Sequence, residues 1–127
     1  MNKTVIVFGN PDLPMDSLPL RLVPELKKQF LETTFLVLDP NEEWPEIDDF
    51  AVIDTVQGIE KVTVFGDLSK FTTAPRLSMH DFDALAYMLY LRKLGKIKNV
   101  KIIGVPPDIE TSRAVRDVSA ALKPFLP

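Results

Sequence analysis

Residues 4–30 read TVIVFGNPDLPMDSLPLRLVPELKKQF. Thr4 to Phe8 is a continuous apolar run without polar alternation, the pattern of a strand covered on both faces, as in a parallel sheet. Gly9 and Asn10 end it. From Asp16 to Phe30 the residues Leu18, Leu22, Leu26 and Phe30 recur every four positions, which traces one face of a helix. Pro19 suits a first helical turn, whereas Pro24 in the interior removes a backbone hydrogen bond and predicts a kink. A doubly covered strand followed by an amphipathic helix points to helices packed on a parallel sheet.

The remaining chain continues the pattern. Strands are expected at Thr34 to Leu38, Phe50 to Ile53, Lys61 to Phe65 and Lys101 to Val105. A helix is expected from Asp81 to Leu94, burying Phe82, Leu85 and Leu89, and a last one from about Glu110 to Leu122, burying Ala114, Val118 and Leu122. The order β-α-β-β-β-α-β-α implies an α/β fold: a three-layer α/β/α sandwich around a five-stranded, mostly parallel sheet, with residues 1–127 forming one domain. Asp39 to Asp49, rich in acids and holding Pro40, Trp44 and Pro45, reads as an exposed loop.

Composition narrows the function classes. Hydrophobic residues at 46% and charged residues at 26% describe a folded globular chain, which excludes disorder and collagen-like structure. A net charge of -3 gives no nucleic-acid footprint. With no cysteine there is no disulfide scaffold, thiol nucleophile, cysteine zinc cage or iron–sulfur site. No apolar run reaches the ~18 residues of a membrane span, and the first strand lacks the basic start and cleavage site of a signal peptide. A soluble, cytoplasmic protein is the expectation. Gly9-Asn10-Pro11 lacks the later glycines of a dinucleotide fingerprint, there is no phosphate-cradling Gly-Lys-Ser/Thr motif, and one histidine excludes HExxH.

In an open α/β sheet, ligands bind beyond the carboxyl ends of the strands. That edge should gather Asn10, Asp12 and Asp16 after the first strand, Asp39 after the second, Asp54 after the third, Asp67 after the fourth and Asp108 after the fifth. His80 lies just before the helix expected at Asp81. Two carboxylates and one imidazole with open positions make a ligand set for a divalent transition metal. Plainer roles compete: Asp16 as a helix N-cap, His80 as a cap or surface group, Asp54, Asp12 and Asp108 as turn residues, and the acidic loop as solvated surface. Arg92, Lys93, Lys96, Lys98 and Lys101 complement the end of the long helix or form a docking patch.

Four blocks resemble one family in order along nearly the whole chain. VIVFGNPDLPMDSLPLRLVPELKKQF, Val5 to Phe30, is similar to the opening of the NiFe-hydrogenase maturation endopeptidases, where Gly-Asn is followed by four variable residues, two acids and a helix. Asp16 falls on the second acid, a metal ligand in that family. FAVIDTVQG, Phe50 to Gly58, resembles the family's strand ending in Asp-Ala, with Asp54 at its second ligand position. LSMHDFDALAYML, Leu77 to Leu89, resembles its long helix, with His80 at the third. VKIIGVPPDIE, Val100 to Glu110, resembles its last strand and turn. Met15 stands in place of the first acid, Ser17 and Pro19 replace glycines, and Asp39-Pro40-Asn41-Glu42 replaces a glycine-containing loop expected to help recognise substrate.

The resemblance implies an endopeptidase that removes the C-terminal extension of a hydrogenase large-subunit precursor after nickel insertion. Asp16, Asp54 and His80 are then both the metal-binding and the catalytic set, the nickel arriving with the precursor, and other divalent metals able to occupy the site. Asp12 is the nearest spare carboxylate for activating water. The departures at Met15, Ser17 and Pro19 keep open a non-catalytic chaperone binding nickel or the precursor on the same fold; a further reading is a structural or assembly subunit whose acidic edge is only solvated surface.

Overall fold

The computed structural model describes residues 3–38, 49–65, 93 and 99–126. In chain order it shows β1 (Thr4–Val7), a 3-10 turn (Pro14–Asp16), α1 (Leu18–Gln29), β2 (Thr34–Val37), β3 (Asp49–Thr55), β4 (Thr63–Phe65), β5 (Asn99–Val105) and a helix here called α2 (Thr111–Leu122). The strands form a five-stranded sheet in the order β2-β1-β3-β5-β4. Three of the pairings, β1 with β2, β1 with β3 and β3 with β5, are parallel; β4 runs antiparallel to β5 at the edge. The α/β class and the mostly parallel sheet are therefore as the sequence implies.

Both faces of the central strands are buried, which explains their unbroken apolar composition. On one face Val5, Val7, Ala51, Ile53, Ile103 and Val105 form a single core with the two helices. α1 contributes Leu18, Leu22 and Leu26, each 0% exposed, and α2 contributes Ala114, Val118 and Leu122, also 0%. These are the residues the four-residue spacing places inward. At about 1.5–3 kcal/mol for each large aliphatic side chain fully buried, this layer is the main attraction between helices and sheet. The opposite face carries Ile6, Phe8, Phe50, Val52 and Ile102, none more than 1% exposed.

Several boundaries differ from expectation for identifiable reasons. α1 continues through Pro24 as one helix. Pro24 is on the exposed side, so the backbone bond it removes lies towards water. Phe30 is the C-cap, just beyond the helix whose four-residue spacing it continues, and its N–H donates to the Leu26 carbonyl at 2.9 Å. β3 is longer than the apolar run at both ends: Asp49 opens it instead of ending a loop, and Asp54 is inside it. The ladder to β5 supplies partners for those polar residues, pairing Asp49 with Asn99 and Asp54 with Gly104. The helix expected over Asp81 to Leu94 lies outside the described residues apart from Lys93, as do residues 39–48 of the acidic loop. Among the described residues no helix is long and apolar enough to cross a membrane.

Candidate functional site

The strand order creates a switch point. From β1 the chain passes through α1 to β2 on one side, whereas β3 lies on the other side of β1. In such sheets the crevice between the diverging connections, at the carboxyl ends of the two central strands, is where ligands bind. Here its walls are the turn that leaves β1 and the end of β3.

The turn that leaves β1 is compact and hydrogen-bonded. Phe8 N–H donates to the Ile53 carbonyl at 2.9 Å, extending the pairing of β1 with β3 to the point where the turn begins. Asn10 N–H donates to the Asp16 carbonyl at 2.9 Å, and Asp16 N–H donates to the Leu13 carbonyl at 2.9 Å. The Asn10 side-chain oxygen accepts from Asp12 N–H at 2.9 Å, an Asx turn that tightens the loop. Gly9 makes this closure feasible. A Cβ there would stand 2.8 Å from the Asp16 carbonyl oxygen and 3.0 Å from Leu20 Cγ, and the first of these is backbone that cannot yield cheaply. The short turn thus ties half-buried Asp16 to the end of β1.

Asp16 is not the N-cap of α1. That position is Ser17, whose side chain makes no capping bond to the helix; its hydroxyl donates instead to the Pro14 carbonyl at 3.3 Å. Pro19 at the helix start needs no N–H donor, so it tolerates this entry.

Asp54 is a strand residue only 2% exposed. Register sets Ile53 against Val7, which places Asp54 beside Phe8 at the start of the Gly9–Asp16 turn. Its Oδ1 accepts from Thr55 N–H at 2.8 Å. A carboxylate this deep carries a desolvation cost of several kcal/mol unless hydrogen bonds or a cation offset it. Carboxylate oxygens at a buried edge suit a divalent ion brought in by a ligand.

Of the residues nominated from sequence, Asp16 and Asp54 come to neighbouring strand ends at the switch point. Asp12 is exposed on the turn above them, and Asp108 is exposed in the turn after β5, as a turn residue should be. His80, Asp39 and Asp67 lie outside the described residues. Among the described residues no three His, Cys, Asp or Glu side chains gather closely enough to hold a metal ion by themselves. Gly104, the register partner of Asp54, was not singled out by sequence. A glycine between Ile103 and Val105 inside a strand is the signal that marks it, since such positions record close approach of other groups.

No protein-family model matches the chain, and no curated protein matches it in sequence. Solved structures do match. The hydrogenase maturating endopeptidase HybD from E. coli superposes with a TM-score of 0.70 over 97% of this chain and 93% of that one, at 18% identity. The hydrogenase 3 maturation protease gives 0.72 over 98% and 92%, at 14% identity. An endopeptidase from Escherichia coli gives 0.67 over 96% and 93%, at 19% identity. This chain has the fold of the hydrogenase maturation endopeptidases.

Proposed function

We propose that the protein is an endopeptidase that removes the C-terminal extension of a NiFe-hydrogenase large-subunit precursor once nickel has been inserted. The observation that carries this reading is Asp54, a carboxylate buried to 2% exposure at the switch point, on the strand next to the turn that holds Asp16. The shared fold with maturation proteases and the four motif blocks, three of which hold Asp16, Asp54 and His80, support it as well.

In this mechanism Asp16, Asp54 and His80 bind the nickel carried by the precursor. When bound, that ion supplies a recognition point and polarises the scissile carbonyl. The chain's own part is placement. Thr55 N–H fixes one oxygen of Asp54, the Gly9–Asn10 closure fixes the backbone of Asp16, and the buried walls of β1 and β3 limit water at the ion. Because the precursor completes the coordination, the protein alone should bind free nickel weakly.

The test is intact mass spectrometry of the nickel-loaded precursor before and after incubation with the protein, beside Asp16→Ala, His80→Ala and a nickel-free precursor. Loss of one discrete C-terminal peptide is expected only with the native protein and only with nickel. An unchanged mass, on a precursor that another maturation protease can cut, would replace the endopeptidase by the precursor-binding chaperone, the reading that Met15, Ser17 and Pro19 keep open.

A further inference from the structure

Asp54 and Gly104 are register partners in adjacent parallel strands, so position 104 faces the same side of the sheet as the carboxylate. β4 pairs Thr63 with Gly104 from the other side. The space a side chain at 104 would occupy is already filled: a Cβ there would stand 2.9 Å from Val56 Cγ2, 3.0 Å from Phe65 Cε2 and 3.4 Å from Ile59 Cδ1. Val56 is 0% exposed and follows Asp54 by one turn of the pleat on the same face. The backbone is not what demands glycine here, because among the described residues Gly58 is the one glycine at positive φ. What position 104 supplies is room.

We propose that Gly104 is a positioning residue for Asp54: its missing side chain lets Val56, Ile59 and Phe65 close against the sheet beside the carboxylate and so fixes where that carboxylate stands at the switch point. The inference rests on the reading of Asp54 as a site residue. A side chain at 104 cannot be absorbed evenly. Val56 is β-branched and fully buried, and its backbone is tied to β5 through Val56 N–H donating to the Val105 carbonyl at 3.0 Å. Displacement of its Cγ2 is therefore passed along β3 to Asp54, while the strand pairing itself is left in place. Removing the Val56 branch relieves the shortest of the three contacts and lets the carboxylate return towards its position.

The experiment compares the native protein with Gly104→Ala, Val56→Ala and the double variant, and with Phe65→Leu, which loosens the same wall without adding an atom at 104. Three quantities are read: the carboxyl 13C resonance of Asp54, assigned with Asp54→Asn; kcat and KM on the nickel-loaded precursor; and the melting temperature. Gly104→Ala should move the Asp54 resonance and lower kcat about tenfold, as expected for a displacement of a fraction of an ångström at reacting groups. KM should change less than kcat, because the remote parts of the precursor still bind. The double variant should restore both, and Phe65→Leu should move the resonance in its own right. A merely structural glycine would change the melting temperature alone. An unmoved Asp54 resonance in folded Gly104→Ala, or in Phe65→Leu should Gly104→Ala not fold, overturns the proposal, as does a double variant whose resonance remains displaced. If the native protein leaves the precursor uncut, the endopeptidase reading fails and the resonance still decides the positioning role.

Discussion

Asp54 accepts a hydrogen bond from Thr55 N–H through one carboxylate oxygen, and an amide oxygen would accept the same bond. Asp54→Asn keeps this bond, so the variant should still unfold cooperatively in a urea titration while precursor cleavage is abolished. A comparable loss of both would assign the carboxylate to folding instead. Gly9→Ala belongs to the other wall of the crevice. Its new methyl meets the Asp16 carbonyl at 2.8 Å, so the turn must open or the end of β1 must shift. Overpacking of this kind costs about 1–3 kcal/mol, which denaturant unfolding would read directly. At this scale the sequence was partly legible. Asp16 and Asp54 could be nominated because acids that follow apolar runs collect at one edge of the sheet. The burial of Asp54 could not, because the apolar run stops at Ile53 and only pairing with β5 shows that the strand continues. The alternative role of Asp16 as a helix cap also needed the structure, since Ser17 and Asp16 are both capping residue types at adjacent positions.

The helices were the most legible elements. Leu18, Leu22 and Leu26 are buried together because the four-residue interval keeps them on one stripe, and α2 repeats this with Ala114, Val118 and Leu122. Leu22→Ala should cost about 2–5 kcal/mol, since Leu22 is 0% exposed at the contact of α1 with the sheet. By contrast, Arg21 on the exposed side of α1 reaches Thr111 Oγ1 of α2 at 3.5 Å, a long contact between water-exposed groups. Arg21→Ala should change stability by less than about 0.5 kcal/mol in the same titration. A larger loss would mean that this contact holds the two helices together. The direction of β4 was not legible. Its short run Thr63–Phe65 has no feature distinguishing a parallel from an antiparallel partner, because the register of an edge strand is set by the connections around it.

Across the whole molecule, the end opposite the switch point carries the ring of Phe125. Phe125 lies beneath two cations, with Lys3 Nζ at 5.2 Å and Lys101 Nζ at 5.9 Å from the ring centroid. Lys3 immediately precedes β1 and Lys101 is near the start of β5, so this ring joins the amino ends of two strands. Leu126 adds an apolar contact at 8% exposure. Phe125→Leu keeps apolar bulk and removes the ring, so it should cost about 0.5–1 kcal/mol per cation lost, measured by urea unfolding. The topology itself was legible only as a class. Strand and helix order restricts the sheet to a few arrangements, but the position of β3 between β1 and β5 follows from which hydrophobic faces finally meet.

That placement of β3 also determines when the crevice comes into being during folding. β1, α1 and β2 are neighbours in sequence and dock through short loop closures, whereas the partner of Asp54 arrives with β5, after a long intervening stretch of chain. Ring closures of that length are slow to nucleate. On a ribosome, the turn holding Asp16 can form early, while the wall beside Asp54 waits until the last strand has emerged. A nascent or partly folded chain therefore exposes the half of the site that precedes β2 without the half that β3 and β5 build. The crevice is therefore complete only once the sheet's central pairing has formed.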